Sequence, residues 1–180
     1  MTWRKKLARM IGLEASLTHI ETGSTAPRFS LKALDGKEYS LDSLLERGPA
    51  VLAFFKISCP VCQFTFPFLQ RIFERSAGQS VSVMGISQDD ARDTKEFNQE
   101  YGVKFPTLVD DAGYPASNAY GLTTVPTIFL IAPDGKVKVS CEGFDKAALE
   151  KIANELSPRQ RIPSVPLFRP DEVVPDFKPG

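Results

Sequence analysis

Apolar positions along this chain follow two rhythms, and where one gives way to the other marks the elements. Residues 50–56 (Ala-Val-Leu-Ala-Phe-Phe-Lys) form an unbroken apolar run of strand length, which predicts a central strand covered on both faces. Residues 60–77 carry Phe64, Phe68, Leu69, Ile72 and Phe73 at helical spacing, with Gly78 as the stop and Pro67 as an expected kink. Residues 81–86 predict a second buried strand, 92–101 a helix, 107–109 a brief strand and 114–120 a short helix. Residues 127–131, the turn Pro133-Asp134-Gly135 and residues 136–141 predict a strand, a turn and an antiparallel partner. Asp145 is placed to cap a last helix with Leu149, Ile152, Ala153 and Leu156 on one face. Upstream, residues 31–33 and 37–39 flank Asp35-Gly36, a two-residue hairpin signal, and Ser40 is placed to cap a short helix through Leu45 that ends at Gly48-Pro49. Strands alternating with helices before a closing hairpin predict an α/β fold with a mixed central sheet flanked by helices.

The two flanks differ from this middle. In residues 1–26, Trp3, Leu7, Met10 and Ile11 recur every three to four positions, which predicts a short amphipathic helix in an N-terminal extension, packed on the domain surface or contacting a membrane or partner. After the domain at residues 27–156, the tail at residues 157–180 carries six prolines interleaved with Ile162, Val165, Leu167, Phe168, Val173, Val174 and Phe177. Proline resists helix and ladder formation, so an extended tail is expected. Its apolar side chains suit wrapping on its own domain or on a sister subunit in a homo-oligomer, with disorder or a separate partner as the alternative.

A chain of 180 residues that is 42% hydrophobic can bury one full core. Twenty-two basic against 22 acidic side chains leave no net charge, so neither a nucleic acid nor an anionic membrane surface is an expected partner. No apolar run approaches the roughly 20 residues that span a bilayer. The basic start is followed by a stretch broken by Arg9, Gly12 and Glu14, unlike a secretory signal, which leads to an expectation of the cytoplasm.

The chemistry concentrates in Cys59-Pro60-Val61-Cys62. Three cysteines are too few for a spaced disulfide framework, so Cys59 and Cys62 read as a reactive or metal-binding pair. Zinc would need a second ligand pair, and His19 and Cys141 are the only other His or Cys residues, so no metal is expected. At a helix start, unpaired amides and the positive dipole end face the first sulfur and stabilise negative charge there. Cys59 is therefore the expected attacking thiolate and Cys62, one turn on, the resolving thiol. Lys56 could add stabilisation if its ammonium reaches the site. Cys141 reads as a buried strand residue, with a third redox role as the alternative.

These residues resemble the thioredoxin superfamily, and within it the redoxin branch of thiol–disulfide reductases and alkyl hydroperoxide reductase/peroxiredoxin proteins. The resemblance spans residues 27–156: the apolar strand, the Cys-Pro-Val-Cys turn, Pro67 five residues beyond Cys62, and Thr124-Val125-Pro126-Thr127 before a strand. It implies a thioredoxin-like fold, a cis peptide before Pro126, and pairing of a substrate chain with the Val125 main chain. It also shows departures. Ser58 stands where thioredoxins carry tryptophan, and Ala53 replaces the buried acid thought to take a proton from the second cysteine. Aligned on Cys62, the proline and threonine of the peroxide-reacting motif become Phe55 and Cys59, which substitutes a thiol for a peroxide ligand.

The sequence thus points to a thiol–disulfide oxidoreductase that exchanges with a protein or small-molecule disulfide, draws electrons from a thiol donor and needs no cofactor. A thiol-dependent peroxidase, and a non-enzymatic redox-sensing or binding module, are the competing readings.

Overall fold

The computed structural model describes residues 20–157 and 166–180. The expected N-terminal helix, His19 and the first part of the proline-rich tail lie outside the described residues.

A hairpin opens the domain, with β1 (Ser30–Lys32) antiparallel to β2 (Glu38–Ser40) and Leu31 opposite Tyr39. The loop is longer than the two residues expected. Ala33 N–H donates to the Lys37 carbonyl and Gly36 N–H to the Ala33 carbonyl, with Gly36 at φ +83°. The glycine thus occupies the left-handed position that ends a three-residue hairpin loop. Ser40 caps α1 (Leu41–Leu45) as expected. Its hydroxyl accepts from Ser43 N–H, and Ser43 Oγ accepts from Ser40 N–H, each at 3.1 Å, a capping box built from two serines.

The middle follows the strand–helix alternation read from the sequence: β3 (Ala50–Phe55), α2 (Pro60–Arg75), β4 (Ser82–Ser87), α3 (Ala91–Glu100), β5 (Thr107–Val109), α4 (Pro115–Ala119), β6 (Thr127–Ile131) and β7 (Val137–Glu142). β8 (Phe144–Asp145) then leads into α5 (Lys146–Leu156), whose first turn is capped by Asp145 accepting from Ala148 N–H at 2.9 Å. α2 stops two residues before the position expected, because Ser76 closes it. Its N–H reaches the Ile72 carbonyl and its hydroxyl the Phe73 carbonyl, ahead of Gly78 at φ +78°. Pro67 lies within α2 on its exposed side.

The five-stranded sheet has the order β5-β4-β3-β6-β7, with β3, β4 and β5 parallel and β6 and β7 antiparallel to their neighbours. All six residues of β3 are buried, as a central strand between two layers requires. Its side chains alternate between two cores. Val51, Ala53 and Phe55 join Phe66, Leu69 and Ile72 of α2 and Leu149 and Ile152 of α5. Leu52 and Phe54 join Leu41, Leu44, Tyr120 and Phe129 on the opposite face. Each fully buried Leu or Phe here is worth roughly 1.5–3 kcal/mol of transfer free energy, so the two faces fix both strand order and register.

The described tail packs on its own domain. Leu167 and Phe168 are buried in the α2–α5 core, with the Phe168 ring 4.9 Å from Phe68 and 6.0 Å from Phe144. Arg71 Nη1 donates to the Leu167 carbonyl at 3.0 Å and to Glu172 Oε2 at 2.7 Å. The final strand β9 (Phe177–Lys178) pairs antiparallel with β8.

Candidate active site

α2 begins where β3 ends, at the carboxyl edge of the parallel strands, where open α/β sheets place their ligand sites. Pro60 occupies the first turn of α2, where its missing N–H costs nothing, and Cys59 is the N-cap. Cys59 Sγ accepts from Cys62 N–H at 3.3 Å, so the first sulfur lies on an amide of the helix start, as the sequence implied. Cys59 is half-buried and Cys62 fully buried, and both are free thiols. The asymmetry fits an accessible first thiol and a sheltered second one.

Burial pushes the Cys62 thiol well above the ordinary cysteine range. The Lys56 main chain opposes that rise, while the Cys59 thiol and the Asp89 carboxylate add to it. Lys56 meets the dithiol through its backbone: its carbonyl accepts from Cys59 N–H at 3.2 Å. Lys56 is half-buried as a residue, and its ammonium makes no hydrogen bond or ion pair among the described residues.

The Val125–Pro126 peptide is cis, as the resemblance implied. The fold brings it to the dithiol, with Cys59 Sγ donating to the Val125 carbonyl at 3.3 Å. Pro126 is buried, and its carbonyl accepts from Gly143 N–H at 2.7 Å, which ties the loop to the start of β8.

Asp89 enters the site without having been singled out in the sequence. Its Oδ2 accepts from Ile57 N–H at 2.8 Å, so a carboxylate from the end of β4 holds the loop that carries Cys59. Gln63 Nε2 pins the other side of the same residue through the Ile57 carbonyl at 2.9 Å. No local sequence signal marks it: β3 and β4 run parallel with Phe55 opposite Ser87, and that pairing is what makes the residues just after both strands neighbours. The nearby carboxylate thus comes from Asp89, two residues beyond β4, rather than from the Ala53 position in β3, and its charge raises the Cys62 pKa.

Cys141 is buried in β7 opposite Ile128, with its thiol on the Gly143 carbonyl at 3.7 Å, and burial pushes its pKa up to about 12. No group of three or more His, Cys, Asp or Glu among the described residues is arranged to hold a metal ion.

Residues 22–140 match the AhpC/TSA family. The chain belongs to the AhpC/TSA family. Among curated relatives of this AhpC/TSA chain, the thiol–disulfide oxidoreductase ResA of Bacillus thuringiensis (strain Al Hakam) is 30% identical over 149 residues, covering 82% of this chain and 85% of ResA. Among solved structures, MTB dsbF, determined in mixed oxidized and reduced forms, superposes with a TM-score of 0.65 at 30% identity, over 76% of this chain and all (100%) of that one. The peroxidoxin BcpB of Mycobacterium tuberculosis gives a TM-score of 0.63 at 26% identity, over 77% of this chain and 94% of that one. The thioredoxin-like fold and redoxin membership of this AhpC/TSA chain thus agree with the sequence reading.

Proposed function

We propose that the protein is a thiol–disulfide oxidoreductase in which Cys59 attacks and Cys62 resolves. The observation that carries this reading is the position of Cys59 Sγ, half-exposed between the first amides of α2 and the Val125 carbonyl, over a buried partner thiol. In the first step the Cys59 thiolate attacks one sulfur of a substrate disulfide. The substrate S–S bond breaks, a mixed disulfide forms, and the departing sulfur takes a proton. Cys62, once deprotonated, attacks the Cys59 sulfur, closes the Cys59–Cys62 disulfide and releases the second substrate thiol. Two electrons and two protons pass to the substrate, and a thiol donor returns them. The Val125 carbonyl faces the sulfur that attacks, at the start of the main-chain edge next to Pro126. ResA, named a thiol–disulfide oxidoreductase, supports the class of reaction.

A peroxidase reading is favoured by one observation, the similarity to a peroxidoxin. The site weighs against it, since a thiol at position 59 replaces the hydroxyl that would polarise a peroxide. The experiment that separates the two measures the Cys59–Cys62 midpoint potential by thiol titration, then assays the reduced protein on insulin, on glutathione disulfide and on hydrogen peroxide. Disulfide reduction that is lost in Cys59→Ser is the expected result. Peroxide turnover that survives Cys59→Ser selects the peroxidase, and inactivity on all three substrates overturns the enzymatic reading.

A further inference from the structure

The end of the described tail lies on the main chain that borders the dithiol. β9 pairs with β8, Phe144 opposite Lys178 and Asp145 opposite Phe177, and the Asp176 carbonyl accepts from Lys146 N–H at 2.9 Å. Lys178 Nζ stands 4.4 Å from the centre of the Phe64 ring, and Phe64 lies in the first turns of α2, two residues beyond Cys62. The chain then passes over Gly143 and reaches Thr124 and Val125. A Cβ placed on Gly180 would lie 2.5 Å from Thr124 Oγ1 and 2.6 Å from the Val125 carbonyl oxygen. One placed on Gly143, at φ +71°, would collide with the Lys178 carbonyl and come within 2.9 Å of Gly180 N. Glycine at both positions lets the two backbones approach this closely.

The Val125 carbonyl is the group that Cys59 Sγ touches, so the tail and the first thiol meet at the same atom. An extended polypeptide that adds to this edge would pair through its main chain, and it meets the backbone of Gly180 there first. A small disulfide needs no such edge. It needs only the sulfur of Cys59.

We propose that residues 177–180 are a specificity-determining segment of the dithiol site: they occupy the main-chain edge at Thr124–Val125, disfavour extended polypeptide disulfides and leave Cys59 open to small ones. The segment acts by occupying space and takes no part in the electron transfer. The proposal rests on the reading of Cys59 as the attacking thiol.

The test compares the full chain with a variant lacking residues 177–180, each reduced and assayed for second-order rates on insulin and on glutathione disulfide. Deletion is expected to raise the insulin rate about tenfold, the equivalent of regaining one or two main-chain hydrogen bonds, while the glutathione disulfide rate stays within about twofold. Equal changes on both substrates, or none, overturn the proposal and leave the tail a packing element. A full chain inert to both disulfides overturns the underlying assignment of Cys59 instead. Lys178→Ala keeps the backbone and loosens only the contact with Phe64. It covers the case in which the deletion fails to fold, with a smaller rise in the insulin-to-glutathione ratio expected and an unchanged ratio overturning the proposal.

Discussion

Cys59 Sγ donates to the Val125 carbonyl oxygen at 3.3 Å, joining two residues 66 positions apart in the chain. The contact puts the first thiol, the helix start and the main chain preceding Pro126 in one place. In the proposed reading Cys59 is the attacking thiol, and Cys62 lies behind it, buried in the α2–α5 core.

The two cysteines should separate cleanly on mutation. Cys59→Ser is expected to lower disulfide reduction by at least about a hundredfold, because the remaining thiol is buried and mostly protonated at neutral pH. Cys62→Ser should still attack and then stall. Mass spectrometry after incubation with a disulfide substrate is expected to find the mixed disulfide on Cys59, and a lasting adduct on Cys62 in the reverse variant would invert the assignment.

Asp89 raises the Cys62 pKa by its charge while its carboxylate holds the Ile57 amide. Asp89→Asn removes the charge and keeps an oxygen able to accept from Ile57 N–H, so the loop should survive. Removing a nearby negative charge favours the thiolate, and the Cys62 titration is expected to move down in pH. Alkylation rate against pH, followed on Cys62 by peptide mapping, reads this directly. A midpoint that rises or stays fixed would show that Asp89 acts only as a hydrogen-bond acceptor.

The tail is fastened by an ion pair whose pH response has a definite sign. Arg71 beside Glu172 holds that carboxyl down at about 2, from an ordinary value of 4.5. A depressed folded-state pKa stabilises the docked tail above pH 4.5, and that contribution fades as pH falls from 4.5 towards 2. The two side chains are 27% and 24% exposed, so screening by solvent makes the effect modest. Amide hydrogen exchange over residues 166–180 is expected to accelerate in that acid window, and Glu172→Gln should show the faster exchange already at pH 7. Equal exchange in wild type and variant at pH 7 would remove the ion pair from the account of docking.

Phe66 is fully buried, with its ring 4.3 Å from Phe55, 5.3 Å from Phe97 and 5.8 Å from Phe105. Phe66→Ala opens a cavity between α2, β3 and α3 and should cost about 3–5 kcal/mol. Urea denaturation measures it, and a loss below about 1 kcal/mol would mean that the site collapses to fill the space.

Much of this was legible because it is local. Thr107–Val109 and Thr127–Ile131 occupy the spans their apolar runs indicated, and Ser40 and Asp145 cap the helices they were placed to cap. An N-cap needs only an oxygen and an amide two or three residues on, so spacing reveals it. The Asp35-Gly36 loop was less legible, because the same dipeptide closes two-residue and three-residue hairpins and the pairing of Ala33 with Lys37 decides between them. Asp89 went unrecognised for a different reason. Its partner Ile57 is 32 residues away, and only the pairing of β3 with β4 makes them neighbours.

The sequence by itself determined the element pattern, the α/β class and the dithiol, since side-chain periodicity, caps and a Cys-Pro-Val-Cys spacing are all set within a few residues along the chain. Tertiary structure alone decided what stands around that dithiol: the Val125 carbonyl on Cys59, the Asp89 carboxylate on the Ile57 amide, and the glycines that let the tail reach Val125. The physical reason is that these contacts join segments whose approach depends on strand order and on apolar burial across the whole domain. A proline-rich tail with scattered apolar residues has many places to lie. Burial of Leu167 and Phe168 against α2 and α5 selects one of them, and that choice carries Gly180 to Thr124 and Val125.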